Sequence, residues 1–185
     1  MPINHYENFP VASVLLPAHL RIPVALIYRF ARTADDFADE GSFPDHERLA
    51  RLAGFGEELR VLENGGKSRV DLFQQLAPVI GKHRLPFDLF HDLLSAFAQD
   101  VTKKRYADFA EVLDYCQRSA NPVGRLLLAL YGAATPQNLA WSDNICSSLQ
   151  IINFLQDIAI DYAKGRIYMP QDELARYHVS ETQIA

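Results

Sequence analysis

Apolar positions recur along most of the chain at spacings of three and four residues, as they do on one face of an α-helix. The predicted helices cover residues 17–40, 45–63, 70–80, 86–100, 109–132 and 137–163, and a further helix begins at 170. No stretch shows the alternation typical of a half-buried strand. The pattern therefore predicts an all-α fold, a packed array of helices around a central cavity.

The last long predicted helix carries a polar stripe within an apolar sequence. Gln150, Asn153, Asp157 and Asp161 recur at spacings of three, four and four, so they share one face. The positions between them are apolar almost all round, which predicts a buried helix. Two carboxylates in such a setting are costly unless a cation joins them, and oxygen ligands suit Mg²⁺. The stripe predicts an internal Mg²⁺ site; a solvated helix face is the alternative.

A second acidic stripe ends the first predicted helix. Tyr28, Arg32, Asp35 and Asp39 align at spacings of four, three and four, and Gly41 is a plausible stop signal. Acids in a last helical turn oppose the helix dipole, which is unfavourable unless they bind a cation. The alternative is a solvated acidic helix end.

The two stripes are more specific together than either is alone. Each contains Asp-x-x-x-Asp, and they lie far apart in the sequence. If their helices face each other, four carboxylates converge and can hold Mg²⁺ ions that bridge a diphosphate. Lys164 and Arg166, just beyond the second stripe, are cations that could meet such phosphates.

The helix predicted over 109–132 is interrupted near its centre. Pro122 removes a backbone hydrogen bond, and Gly124 weakens the helix further. Tyr115 and Ala120 precede the interruption and Val123 follows Pro122. Small residues at a bent apolar helix leave room either for a close helix crossing or for a ligand chain.

Composition narrows the class of protein. The chain has 185 residues, 49% of them hydrophobic, and a net charge of −5, which argues against a nucleic-acid-binding surface. Cys116 and Cys146 show no metal-type or redox-type spacing, so a reduced, cytoplasmic setting is expected. Arg125 interrupts the most apolar segment, which is too short to span a bilayer, and no signal peptide is recognisable. Peripheral membrane contact stays open.

Three segments carry a resemblance to a known family. They read YRFARTADDFADE, YCQRSANPVG and QIINFLQDIAIDYAKGRIYMP, and they are spread through the chain. With them the chain resembles the squalene/phytoene synthase family of trans head-to-head isoprenoid synthases over essentially all its length. The opening HYENFPVASVLLP and the SANPVG variant are most similar to the hydroxysqualene synthase branch of bacterial hopanoid biosynthesis.

The resemblance implies a helical isoprenoid synthase fold that holds Mg²⁺ and diphosphate between two Asp-rich helices. By motif match the expected metal-binding and catalytic acids are Asp35, Asp39, Asp157 and Asp161. The other matched residues are Gln150 and Asn153 in the same site, Tyr28, Arg32 and Arg166 toward the diphosphate, Tyr115, Ala120, Val123 and Gly124 along the prenyl or reacting-centre wall, and His5 in the N-terminal arm.

Three departures from the family pattern stand out. Gln156 replaces an arginine before the second acidic motif, and Asn8 replaces a serine of the arm. Family chains also continue through several more helices that complete the cavity. Residues 1–185 are therefore expected to form a single domain that lacks C-terminal helices.

The implied reaction is the ionisation of a prenyl diphosphate in a dry apolar cavity. In the hydroxysqualene synthase branch, presqualene diphosphate and water give hydroxysqualene and diphosphate. Two alternatives stay open: a condensing synthase that joins two prenyl diphosphates, and a non-enzymatic relative acting in assembly or interaction. Retention of all four aspartates favours an enzyme. A di-iron bundle protein is disfavoured because the chain has no Glu-x-x-His pair. The oligomeric state is left open.

Overall fold

The structure, a computed structural model, describes residues 16–184. The described chain is helical and contains no strand beyond one isolated parallel bridge, between Arg105 and Ile167, so the all-α prediction is confirmed. The helices are α1 (Ala18–Asp39), α2 (Asp45–Glu63), α3 (Asp71–His83), α4 (Phe87–Thr102), α5 (Phe109–Ser119), α6 (Asn121–Leu130), α7 (Pro136–Gln156), α8 (Ile158–Ala163) and α9 (Gln171–Arg176), followed by a 3₁₀ turn at Glu181–Gln183.

The main core lies among α1 to α4 and is centred on Phe30. This ring is fully buried and meets Phe73 and Phe90 edge to face, at centroid distances of 5.9 and 5.2 Å. Edge-to-face packing brings the positive rim of one ring to the negative face of another. The apolar faces predicted from the spacing of three and four are thus the faces that pack, and they hold α1 rigidly against its neighbours.

The predicted interruption lies at Ala120, between α5 and α6. Pro122 lies in the first turn of α6, where its missing N–H breaks no helical hydrogen bond. Arg125 on α6 makes a two-pronged ion pair with Asp143 on α7, at 2.9 and 2.6 Å. Helix α6 is thereby fixed against α7, and Gly124 lies at their crossing.

The long helix predicted over 137–163 differs in two respects. It is divided at Asp157, whose backbone leaves the helical range at φ −98° and ψ 12°. The prediction that this helix is buried is wrong: Phe154 is the one buried residue of α7, while Ile152 and Leu155 are 48% and 57% exposed. Helices α5 and α6 cover one side of α7, and no described helix covers the other. Among the described residues, an open groove therefore lies on this uncovered side of α7.

A glycine turn returns the chain to the core after α8. Gly165 has a φ of +77°, and the N–H of Arg166 bonds to the carbonyl of Asp161, as in a Schellman helix stop. The chain then runs beside the segment that follows α4, with the N–H of Ile167 bonded to the carbonyl of Lys104 at 3.0 Å. This course carries residues 166–168 into the protein interior.

No helix within residues 16–184 is long and apolar enough to cross a membrane.

The crossing of α6 and α7 requires a glycine. A Cβ at position 124 would overlap the Ser142 hydroxyl and lie 2.6 Å from the Cys146 sulfur. We expect Gly124→Ala to lower the free energy of unfolding by about 1–3 kcal/mol through overpacking, as measured by urea denaturation. Gly54→Ala is the control because a Cβ there meets nothing within 4 Å, so we expect no loss. Equal effects would contradict the crossing.

Candidate functional site

The acidic end of α1 is held by an arginine from the next helix. The Arg48 guanidinium donates to the carbonyls of Ala38 at 2.7 Å, Glu40 at 3.1 Å and Gly41 at 2.5 Å. These carbonyls carry the negative end of the helix dipole, so the cation offsets the penalty of placing acids there. Arg48 therefore fixes the backbone next to Asp39 and leaves the Asp39 carboxylate to other partners.

Asp39 is held by two cations from the segment after α8. Lys164 Nζ donates to Oδ2 of Asp39 at 2.9 Å, and Arg166 donates to both carboxylate oxygens. The side chains of Arg166 and Asp39 are only 8% and 14% exposed. Burial raises the pKa of Asp39, but these hydrogen bonds outweigh it and hold the pKa below its usual value. The acidic stripe of α1 and the cations Lys164 and Arg166, which lie far apart in the sequence, therefore meet at Asp39.

The neighbouring acids are less well compensated. Burial, followed by repulsion from Asp39, raises the pKa of Asp35 to about 7. Burial also raises the pKa of Asp161 to about 6; nearby Arg166 opposes this, and Asp157 and Asp39 add to it. Carboxylates that repel one another in this way gain from a divalent cation placed between them.

The carboxylates of this region fit Mg²⁺ only if a bound ligand supplies further oxygen atoms. Among residues 16–184 no group of three or more His, Cys, Asp or Glu side chains is close enough to hold a metal ion. Carboxylate oxygens are nevertheless the ligands that Mg²⁺ prefers, and it is usually bound through one or two carboxylates plus substrate phosphates. Asp35, Asp39, Asp157 and Asp161 are the residues that would hold it.

An apolar groove of about 1060 Å³ leads to this acidic region. It lies between α6 and α7, and its polar end is formed by Gln150, Asn153, Gln156 and Asp157. The remaining wall is mainly apolar and includes Ala120, Val123, Gly124, Leu127, Leu128, Ile145 and Leu149. Gly124 therefore lies at a close helix crossing and also lines the groove.

The sequence reasoning missed two residues of a buried cluster beside Asp39. Asp100 is 4% exposed and accepts hydrogen bonds from the hydroxyls of Tyr115 at 2.5 Å and Tyr168 at 2.9 Å. Tyr168 also stacks on Phe154, with ring centroids 4.1 Å apart. Asp100 could have been noticed because it falls on the apolar face of α4, in line with Leu93 and Ala96. No periodic signal marks Tyr168.

Other predicted residues are placed as follows. Arg32 pairs with Asp35 at 3.3 Å and with Asp36 at 2.8 Å, so it lies among the acids of α1. Tyr28 is half-buried on the same helix. Tyr115 is buried in the aromatic cluster and does not line the groove. His5 and Asn8 lie outside the described residues.

The raised pKa of Asp35 predicts a pH-dependent stability. Its pKa is 3.8 when unfolded and about 7 when folded, so its stabilising contribution is complete below pH 3.8 and lost as the pH rises through 7. We expect Asp35→Asn, which cannot ionise, to increase the free energy of unfolding at pH 8 by about 1 kcal/mol, since the 36% exposure of the side chain screens the effect.

The measurement is urea unfolding at pH 5 and pH 8. Glu40→Gln removes the same charge from the exposed end of α1 and so controls for net charge. An Asp35→Asn variant that loses stability between these pH values as the unchanged protein does would contradict the assignment.

Comparison with known proteins gives consistent matches. The family model for squalene/phytoene synthase matches residues 3–185. The chain is 38% identical to a hydroxysqualene synthase of Sinorhizobium fredii, with 94% of this chain and 58% of that protein covered. It is 41% identical to a hydroxysqualene synthase of Rhodopseudomonas palustris, with 91% and 56% covered. The chain therefore spans somewhat more than half the length of these relatives.

A solved structure agrees with the sequence matches. The crystal structure of the squalene synthase HpnC from Alicyclobacillus acidocaldarius superposes with a TM-score of 0.87 at 37% identity, covering 97% of this chain and 67% of that one. The helical fold, the motif spacing and the sequence similarity agree over nearly all of the chain. The chain therefore belongs to the squalene/phytoene synthase family.

Proposed function

We propose that the protein acts on presqualene diphosphate, which it converts with water to hydroxysqualene and diphosphate in an Mg²⁺-dependent reaction. The observation that carries the proposal is the apolar groove that leads through Gln150, Asn153 and Asp157 to the acidic region. A ligand with a long hydrocarbon part and an anionic head would fill both. The hydroxysqualene synthases at 38% and 41% identity support this substrate over others.

The cations of the site are suited to the diphosphate. Arg166 offers a planar set of donors that matches phosphate oxygens, and Lys164 adds a second positive charge two residues away. Both already meet Asp39, so a diphosphate bound beside Asp39 would find them within the same site. Arg32, on the same face of α1 as Asp35 and Asp39, adds a third cation.

The residues of the site account for the proposed chemistry. The carbon–oxygen bond to the diphosphate breaks, and the electron pair leaves with the diphosphate, whose charge Lys164 and Arg166 stabilise. When bound, Mg²⁺ supplies further neutralisation of this leaving group. The groove would hold the hydrocarbon part of the carbocation against a mainly apolar wall. One water molecule then adds to the rearranged cation and gives up a proton to the released diphosphate.

A condensing activity is the second candidate. It is favoured by the similarity to the squalene synthase HpnC, which is 37% identical to this chain. Such an enzyme would join two farnesyl diphosphates. The site described above could hold the head of either substrate, so the products distinguish the two functions.

The test is a product assay with Mg²⁺, in which presqualene diphosphate and farnesyl diphosphate are supplied separately. We expect hydroxysqualene from the first and no coupling of the second. We expect Asp157→Asn to reduce turnover by about 100-fold or more, because the variant lacks a carboxylate that would bind Mg²⁺. Its circular dichroism should be unchanged, because position 157 is exposed. Asp71→Asn, on the exposed first turn of α3, is the matched control. Coupling of farnesyl diphosphate would favour the condensing function; full activity of Asp157→Asn would reject its role.

The groove makes a separate prediction about the prenyl chain. Leu149 lines the groove and is 43% exposed, so Leu149→Glu places a charge there without disturbing the core. We expect binding of a prenyl diphosphate to weaken by about tenfold or more, because apolar contact is replaced by a charge. Binding of inorganic diphosphate should change little. Leu155→Glu, on the same helix but outside the groove and 57% exposed, is the control. Calorimetry measures both ligands, and equal losses for the two variants would contradict the groove assignment.

A further inference from the structure

A chain of hydrogen bonds links a buried acid of α4 to the guanidinium beside Asp39. The hydroxyl of Tyr168 lies 2.9 Å from Oδ1 of Asp100 and 3.4 Å from Nη1 of Arg166. An arginine can only donate, so the hydroxyl accepts from Arg166 and gives its own proton to Asp100. The carboxylate of Asp100 therefore sets the direction in which the Tyr168 hydroxyl points.

Core packing alone does not account for this arrangement. Asp100 and Arg166 are only 4% and 7% exposed, and burying charged groups is costly compared with apolar residues of similar size. Both oxygens of Asp100 are used, one by Tyr168 and the other by Tyr115. The hydrogen-bond chain thus leaves neither oxygen of Asp100 unused and ends at Arg166, a cation of the site. This arrangement indicates a role in placing Arg166.

Arg166 depends on few contacts for its orientation. Its Nε is buried and has no hydrogen-bond partner among the described residues. Its two Nη atoms bond to Asp39, and Nη1 also meets Tyr168. If Asp39 turns to a metal ion, the Tyr168 hydroxyl is the hydrogen-bond partner that, within residues 16–184, still holds the guanidinium.

We propose that Asp100 and Tyr168 are positioning residues that orient Arg166 for the diphosphate of the substrate. The proposal rests on the proposed function, because it assigns Arg166 to that ligand. Asp100 acts on Arg166 through the Tyr168 hydroxyl and by charge attraction, so removal of either residue should weaken the hold on the guanidinium. Neither residue lines the groove.

The first test needs no ligand and measures urea unfolding in a double-mutant cycle. Tyr168→Phe removes the hydroxyl and keeps the ring that stacks on Phe154. We expect it to raise the unfolding equilibrium constant about fivefold in the unchanged background and less than about twofold in an Arg166→Lys or an Asp100→Asn background. Equal effects in all backgrounds would overturn the hydrogen-bond chain.

Tyr106→Phe is the matched control. Tyr106 is 1% exposed, its ring stacks on Tyr168 at 5.4 Å, and its hydroxyl accepts from Gln99 at 3.2 Å. It shares the cluster with Tyr168, but its hydroxyl bond is not to Arg166. We expect its effect on unfolding to be the same with and without Arg166→Lys.

The second test measures binding of inorganic diphosphate in the presence of Mg²⁺ by calorimetry. We expect Tyr168→Phe and Asp100→Asn each to weaken binding about fivefold or more, the double variant to be no weaker than the weaker single variant, and Tyr106→Phe to stay within about twofold. Unchanged affinity in Tyr168→Phe, despite coupling in the unfolding cycle, would overturn the positioning role. Absence of binding by the unchanged protein would instead contradict the proposed function, and the unfolding cycle would still test the hydrogen-bond chain by itself.

Discussion

The ion pair between Asp39 and Arg166 is the interaction on which the site depends. It joins the last residue of α1 to a segment near the other end of the chain, and both side chains are largely shielded from water. Loss of one partner from such a pair leaves an uncompensated charge and typically costs about 3–5 kcal/mol. The pair therefore demands that two distant segments be placed accurately, and much of the local structure serves that placement.

Two separate structural units meet that demand. The packed phenylalanines of α1, α3 and α4 hold the acid side of the site through apolar contacts, and Arg48 holds the end of α1. The glycine turn at Gly165 and the backbone bond between Ile167 and Lys104 bring the cationic side to it. The acidic half of the site therefore belongs to the main core, and the cationic half is attached to it by the buried segment after α8.

Helical spacing predicted the parts of the site that repeat along a helix. The acidic stripe of α1, the stripe that runs from α7 through Asp157 into α8, and the apolar face around Phe30 follow from the 3.6-residue period. The helical period could not reveal that Asp157 divides the long helix predicted over 137–163, because one residue outside the helical range leaves the spacing of the polar residues in the sequence unchanged. It also could not pair Asp100 with Tyr168, since residues 68 positions apart meet only through tertiary packing. The burial of α7 was wrongly predicted because apolar composition does not say which neighbours are present to cover it.

The cap that Arg48 places on α1 affects how motifs in such sequences are interpreted. The Arg48 guanidinium donates to five carbonyls, and a lysine ammonium, which has three N–H donors, could not make all of these bonds. A homologue could thus keep both Asp-x-x-x-Asp signatures and still have a frayed first helix if this arginine were exchanged. Searches for active members should therefore score the arginine nine residues after the motif together with the motif itself.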